Sequence, residues 1–170
     1  MKRLIKLLIK EEAKQVGTLY HYTNLDNLIK ILNQDILKSN SDNGGYISFT
    51  RNKNFVKISR FLSGGSVDCA LIINGDKLSD NYKIKPYHDQ EYFNKTEKDF
   101  GSEEMELEEQ IKGDISPIKP YIINIIILND KINAYDINEF IENNDTNIEP
   151  NLESIKFYIQ NTYGITVNIE

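Results

Sequence analysis

The stretch from 103 to 111 constrains the fold most, because its charges alternate with apolar residues at the period of a β-strand. One face of such a strand carries Glu104, Glu106, Glu108 and Gln110, and the other carries Met105, Leu107, Glu109 and Ile111. Neighbouring like charges destabilise a sheet face unless a cation or a function accounts for them. The alternative is a solvated acidic helix, since Glu, Leu, Met and Gln all favour helices. The segments upstream favour the strand, and we therefore expect a row of carboxylates on one side of a sheet.

The chain has 170 residues, which is enough for one domain with a sizeable core. We expect an amphipathic helix over 1–16, a core over 18–128, and peripheral helices with a closing strand over 130–170. Cys69 is the only cysteine, so no internal disulfide can form and a reducing compartment is expected. Basic residues interrupt the apolar N-terminus, unlike a signal peptide, and no apolar run is long enough to span a membrane. The sequence predicts a cytoplasmic protein without a membrane partner.

Charge is distributed unevenly along the chain. The first 60 residues hold 11 Lys and Arg against 5 Asp and Glu, a net charge of +6, whereas the remainder holds 9 against 21, a net charge of −12. A surface-wide nucleic-acid footprint is therefore not expected, although a local basic patch in the first third is compatible with these counts. His21 and His88 are the only histidines, and no Cys/His cluster is present to bind zinc. We expect no metal.

The first strong segment is a β-prone run over 18–23 that leads directly into a helix signal. Thr23 or Asn24 is placed to cap the helix. Apolar residues then follow at the spacing of one helical face: Leu25, Leu28, Ile29 and Leu32. His21 thus lies near the end of a strand, where ligand sites often form, although a single histidine in such a place more often has a structural role.

A second strand is predicted over 45–52 by alternation of polar and apolar residues. Tyr46, Ser48 and Thr50 occupy one face, and Ile47 and Phe49 the other. The strand therefore presents hydroxyl groups on one side and core residues on its reverse. A short helix is expected to follow over 54–62.

Further strands complete a sheet in this reading. Residues 68–75 read as a buried strand closed by a turn, and 82–87 as a shorter strand. The run over 121–128 is β-branched and apolar on both faces, which predicts a central strand. Residues 130–161 look helical, with Leu152, Ile155 and Ile159 on one face, and Ile165, Val167 and Ile169 alternate in a closing edge strand. No glycine-rich dinucleotide or P-loop motif is present.

Three motifs together resemble the ADP-ribosyltransferase superfamily. They are the opening over 19–32 (LYHYTNLDNLIKIL), the second strand over 47–51 (ISFTR) and the block over 106–111 (ELEEQI). The resemblance spans about 18–128 and is strongest to small phage and bacterial members and to DNA-modifying toxins of toxin–antitoxin pairs. It implies an α+β fold, a split β-sandwich of two antiparallel sheets with an NAD cleft and peripheral helices.

The resemblance also implies the catalytic groups. Glu108 would stabilise the oxocarbenium-like ribose and hold its 2′-hydroxyl, because the family places its catalytic glutamate at the start of the EE.I block. Glu106 would polarise or deprotonate the acceptor, as in arginine-modifying relatives. Glu109 lies on the opposite face in this interpretation, and a register shift of one residue would exchange the roles of Glu108 and Glu109.

The remaining predicted site residues bind NAD. His21 would hydrogen-bond a ribose hydroxyl, since a neutral imidazole both donates and accepts. The other members of the predicted cofactor-binding set are Tyr22 and Thr23 on the first strand, Ser48 and Thr50 as hydroxyl supports for the glutamate, Arg51 for the diphosphate and Phe55 for stacking on nicotinamide. The tyrosine pair of diphtheria-toxin-like relatives is not clearly present, and a histidine stands where arginine-modifying relatives have an arginine.

The resemblance implies an NAD-dependent mono-ADP-ribosyltransferase that uses NAD as substrate and modifies a host protein or nucleic acid. It would be a phage or bacterial effector or toxin in the bacterial cytoplasm, with an antitoxin or inhibitor as a further candidate partner. Two alternatives stay open, a catalytically inactive nucleotide-binding module or inhibitor of the same fold and an enzyme like tRNA 2′-phosphotransferase. The latter would need several basic residues around the cleft, and a single one, Arg51, is too few.

Overall fold

The computed structural model describes residues 16–41, 44–54, 67–86, 108–144 and 146–170. Its strands are β1 (Thr18–Thr23), β2 (Tyr46–Thr50), β3 (Cys69–Asn74), β4 (Ile84–Pro86), β5 (Glu108–Lys112), β6 (Ile122–Ile127) and β7 (Val167–Ile169). Its helices are α1 (Leu25–Gln34), α2 (Gly75–Ser79), α3 (Ala134–Asn143) and α4 (Leu152–Tyr163), with short 3-10 turns at Lys119–Tyr121 and Asn129–Lys131. The predicted helix over 1–16, apart from Val16, and most of that over 54–62 lie outside the described residues.

The strands form one seven-stranded sheet in the order β4-β5-β2-β1-β3-β6-β7. All neighbours are antiparallel except β6 and β7, which run parallel. The joint between β1 and β2 consists of the single pair Tyr20 and Thr50, whereas β1 pairs with β3 along its whole length from Thr18 to Thr23. The mixed α+β class is as predicted. The described strands are hydrogen-bonded into one sheet, and its narrowest joint lies between β1 and β2.

The predicted change from strand to helix at residue 24 is confirmed. Asn24 caps α1, and its side-chain oxygen accepts a hydrogen bond from the Asn27 backbone at 2.8 Å. The apolar face of α1 is buried, as its spacing predicts. The helix ends at Asp35, which takes the left-handed conformation and whose carboxylate accepts from the backbone N–H groups of Ile118 and Lys119.

The core lies on one face of the sheet and beneath the helices. Sheet residues of this face are almost fully buried: Leu19, Ile47, Phe49, Leu71, Ile73 and Ile111. The helices predicted to be peripheral also contribute to it, because the side chains of Phe140, Ile155 and Ile159 are completely buried. These apolar contacts position the strands, and with them the polar residues that alternate along each strand.

The last strands differ in detail from the prediction. β6 is internal, between β3 and β7, but Ile123 is 51% exposed. It lies at an irregularity where Ile72 pairs with Asn124 and Ile73 pairs with Ile122, so the local bulge turns it away from the core. β7 is the predicted edge strand. None of the described helices is long and apolar enough to cross a membrane.

A short helix replaces the turn predicted after β3. Asn74 caps α2 by accepting from the Lys77 backbone at 3.0 Å, and Asp76 accepts from the backbone N–H groups of Val16 and Gly17. Gly75 is required there, because a Cβ atom at this position would lie 2.5 Å from the Gly17 carbonyl oxygen.

Candidate functional site

The acidic run enters the sheet as β5, next to the hydroxyl-bearing strand β2. The strand prediction is confirmed for 108–111, and 103–107 lie outside the described residues. In the observed register Glu108 is opposite Thr50, and Glu109 is opposite Phe49. Directly opposed residues of antiparallel strands share a face. Glu109 therefore lies on the face of Phe49, and its side chain is buried.

Three side chains lie in a row across three neighbouring strands. The ring of His21 on β1 contacts that of Phe49 on β2, with ring centroids 5.7 Å apart, and Phe49 is in turn opposite Glu109 on β5. Adjacent strands are about 4.8 Å apart, so the backbones of His21 and Glu109 are separated by about 10 Å. Phe49 is 2% exposed and forms an apolar floor between an imidazole and a carboxylate.

Arg51 forms an ion pair with Glu109 at one end of this row. Its guanidinium Nη2 contacts Glu109 Oε1, and the side chain of Arg51 is 41% exposed while that of Glu109 is 9% exposed. Arg51 directly follows the end of β2 and is two residues from Phe49, so strand alternation carries it to the same face. A buried carboxylate thus has a cation on its solvent side, which lowers the free-energy cost of burying its charge.

The hydrogen bond of His21 defines its tautomer. Nδ1 lies 3.0 Å from the backbone carbonyl of Ser48, which can only accept, so Nδ1 carries the proton. Burial lowers the pKa of His21 below 6.5, and the bond to Ser48 opposes this only in part. The ring is therefore neutral at pH 7, and Nε2 has a lone pair that can accept a hydrogen bond from a ligand hydroxyl.

Tyr22, Ser48 and Thr50 lie on the opposite face of the sheet, whereas Thr23 shares the face of His21. Tyr22 stacks on Tyr20, with ring centroids 6.5 Å apart, and the Tyr20–Thr50 pair places both tyrosines on the Thr50 side. Burial, with smaller contributions from Tyr20 and Glu170, raises the pKa of Tyr22 to about 12. Its phenol is therefore neutral at pH 7.

The hydroxyl residues of β2 also belong to this second face. Thr50 is buried, and its Oγ1 accepts from the Asn52 backbone at 3.0 Å, while Ser48 is opposite Gln110. Position 108 shares a register pair with Thr50. The predicted set is therefore divided: Tyr22, Ser48, Thr50 and position 108 are on one face, and His21, Thr23 and Arg51 are on the other.

The remaining predictions concern Thr23, Glu106 and Phe55. Thr23 ends β1, is buried, and accepts from the backbone N–H of Asp68 through its carbonyl at 3.2 Å. Glu106 and Phe55 lie outside the described residues. Sequence reasoning did not propose Phe49 for the site, although its alternation with Ser48 and Thr50 marks its face. Within the described ranges, no three His, Cys, Asp or Glu side chains are grouped to hold a metal ion.

No protein-family model matches the chain, and no curated protein matches it significantly by sequence. A similar solved structure is that of DarT from Thermus sp. 2.9 in complex with carba-NAD⁺, with a TM-score of 0.50 and 12% identity, covering 92% of this chain and 97% of DarT. The complex of the same protein with NAD⁺ gives a TM-score of 0.49 and 10% identity, covering 92% and 96%. The chain shares the fold of DarT. At this level of identity the likeness establishes the fold alone.

Proposed function

We propose that the protein is an NAD-dependent ADP-ribosyltransferase in which Glu109 is the carboxylate beside the reacting ribose. The observation that carries the proposal is the row of His21, Phe49 and Glu109 across β1, β2 and β5, in a fold shared with a protein that binds carba-NAD⁺. Glu109 is preferred to Glu108 because it shares a face with His21. The NAD cleft would open at the narrow β1/β2 joint, where backbone pairing is limited to Tyr20 and Thr50.

The reaction needs one fixed anion beside the ribose and one group that accepts a hydrogen bond from a ribose hydroxyl. The bond between C1′ of the ribose and the nicotinamide nitrogen breaks, its electron pair leaves with neutral nicotinamide, and C1′ becomes oxocarbenium-like. Glu109 stabilises that positive charge in a water-poor setting, where a fixed carboxylate is most effective. His21 accepts a hydrogen bond from a ribose hydroxyl through Nε2 and so orients the sugar. An acceptor atom then bonds C1′, and its proton passes to a base, the role that the sequence resemblance gives to Glu106.

The rest of the assignment follows the sequence resemblance. Arg51 would bind the diphosphate, whose oxygens suit its fork of N–H donors. Glu106 would serve the acceptor, and Phe55 the nicotinamide ring. The acceptor would be a protein or nucleic acid of a bacterial host, with the enzyme acting in the cytoplasm as a phage or bacterial effector or toxin, subject to an antitoxin or inhibitor.

The test compares substitutions of three glutamates, Glu108, Glu109 and Glu142. Purified protein is incubated with NAD labelled in its ADP-ribose part and with bacterial lysate. Nicotinamide release is then measured, and the label is followed separately into protein, DNA and RNA. Glu109→Gln should lower nicotinamide release about 100-fold or more, in the range found when an electrostatic stabiliser is removed. Glu142→Gln on the exposed side of α3 makes the same charge change away from the site and should leave the rate unchanged.

The outcomes distinguish catalysis by Glu109 from catalysis by Glu108 and from an inactive nucleotide-binding module. Loss of turnover with Glu108→Gln and retention with Glu109→Gln would return the catalytic role to Glu108. If the unsubstituted protein releases no nicotinamide and transfers no label, the enzyme proposal is wrong. Binding of NAD without turnover would then favour the inactive nucleotide-binding module.

A further inference from the structure

We propose that Arg51 exchanges partners when the dinucleotide binds. In the ligand-free protein it is the counter-ion of Glu109, and in the complex it leaves Glu109 for the diphosphate, while the cationic nicotinamide riboside takes its place beside the carboxylate. This inference rests on the proposed function and deepens it. It makes Arg51 a specificity-determining residue that selects ligands with a diphosphate and a positively charged ring.

The burial of the two partners shows which of them can move. The side chain of Glu109 is 9% exposed, and its backbone is held in the middle of three paired strands between β2 and β4. The side chain of Arg51 is 41% exposed and starts just beyond the end of β2. The carboxylate is therefore the fixed partner, and the guanidinium on its solvent side is the partner that a ligand can attract.

The backbone around Arg51 is held by short hydrogen bonds, so a side-chain rotation suffices for the exchange. The Asn52 backbone N–H donates to Thr50 Oγ1 at 3.0 Å, and the Asn54 backbone N–H donates to Asn52 Oδ1 at 2.9 Å. These are local turns of the type that Asn and Thr side chains form with the following backbone. They hold the backbone over 52–54 in place, so the exchange needs only rotation about the side-chain bonds of Arg51.

The charges balance before and after the exchange. In the ligand-free site one buried carboxylate faces one guanidinium, and removing the guanidinium alone would leave an uncompensated buried charge, which is costly. NAD brings a diphosphate with two negative charges and a nicotinamide ring with one positive charge. Arg51 gains a doubly charged, bidentate partner, and Glu109 gains the cation whose bond to nicotinamide it helps to break. A ligand that lacks the ring cation breaks the ion pair without replacing it.

The experiment uses ADP-ribose, which carries the diphosphate and lacks nicotinamide. Its affinity is measured by calorimetry for the unsubstituted protein, Glu109→Gln, Arg51→Gln and the double variant. If Arg51 must leave Glu109, Glu109→Gln should tighten ADP-ribose binding about tenfold when Arg51 is present, because no ion pair has to be broken. In the Arg51→Gln background the same change should tighten binding at most about twofold, since only repulsion by the carboxylate is removed.

Matched variants control for charge and folding. Lys53→Gln removes one positive charge from an exposed position two residues away and should alter ADP-ribose affinity less than twofold. If Arg51→Gln does not fold, Arg51→Lys replaces it in the cycle, keeping the charge and losing the bidentate fork.

Three results would overturn the exchange. They are equal tightening by Glu109→Gln in both backgrounds, weaker binding in Glu109→Gln, and no effect of Arg51→Gln on ADP-ribose affinity. In each of these ADP-ribose still binds, so the proposed function stands. Absence of ADP-ribose binding in every variant, together with absence of nicotinamide release, would contradict the proposed function itself and the exchange with it.

Discussion

The imidazole of His21 donates from Nδ1 to the main-chain carbonyl of Ser48 at 3.0 Å, across the joint between β1 and β2. Backbone pairing in this joint is limited to Tyr20 and Thr50. The side chain therefore supplies a cross-strand hydrogen bond beside the place where the ladder narrows. His21 links the two strands through Nδ1, and the lone pair of Nε2 can accept a second hydrogen bond.

Two substitutions of His21 should separate these roles. The amide nitrogen of asparagine can reach the position of Nδ1, and the amide of glutamine the position of Nε2. His21→Asn should keep the bond to Ser48 and hence the stability, but raise the KM for NAD. His21→Gln should lose about 1 kcal/mol of unfolding free energy, the usual net value of one hydrogen bond. Thermal denaturation and NAD turnover measure the two effects, and equal losses of stability would contradict the assignment.

The unfolding free energy should depend on pH through His21. Burial lowers the pKa of His21 in the folded protein below its usual 6.5, so the unfolded chain binds the proton first. This contribution to stability is fully present above pH 6.5 and is lost as the pH falls from 6.5 through the lower folded-state pKa. Denaturant unfolding at pH 7.5 and 5.5 measures it. The decrease in unfolding free energy between pH 7.5 and 5.5 should be smaller in His21→Asn than in the unsubstituted protein. An identical decrease in both would speak against a buried neutral imidazole.

Asp68 should destabilise the folded protein at neutral pH. It is 3% exposed, its Oδ1 atom lacks a hydrogen-bond partner, and burial raises its pKa above 3.8, although bonds from Cys69 and Leu25 oppose this. The folded state therefore favours the protonated acid, and stability falls as the pH rises from 3.8 through the folded-state pKa. Asp68→Asn should raise the unfolding free energy by about 1 kcal/mol at pH 7, with a smaller gain at pH 4. A loss of stability at pH 7 would show that the charge is compensated.

Gly75→Ala should destabilise the protein more than an ordinary surface substitution. The added Cβ would lie 2.5 Å from the Gly17 carbonyl oxygen and 2.7 Å from Val16 Cγ1, and the backbone there cannot move without disturbing β1. Overpacking of this kind costs about 1–3 kcal/mol. Gly164→Ala is the comparison, because that position has open space and only a left-handed φ of 68°. Chemical denaturation measures both, and a smaller loss at Gly75 would mean that the contact relaxes.

Local patterns sufficed for much of the fold. The run over 18–23 became β1 with the predicted bounds, and the cap at Asn24 began α1, because β-propensity and helix capping act within a few residues. The alternation of Ser48 and Thr50 with Ile47 and Phe49 was reproduced in β2, since apolar side chains on one face must be buried together. The turn predicted at Gly75 was a helix, which Asn74 caps and against whose first residue the distant backbone of Gly17 packs.

The site could be predicted only in part. The sequence identified His21, Arg51 and the acidic block as chemically notable. It assigned the catalytic role to Glu108, with Glu109 as the alternative if the register were shifted by one residue. Alternation assigns residues of one strand to two faces but does not state which face of a second strand, some 60 or 90 residues away, lies beside them. The roles of these residues stay predictions until turnover is measured.

The amino-acid sequence by itself determined where strands and helices begin and which side chains alternate along them, because these properties depend on neighbours in the chain. Only the tertiary structure decided that β5 pairs with β2 so that Glu109 is opposite Phe49, with Arg51 beside it and His21 one strand further on. That register depends on burying the apolar faces of strands far apart in sequence, and a shift by one residue would have exposed the other glutamate to the same site.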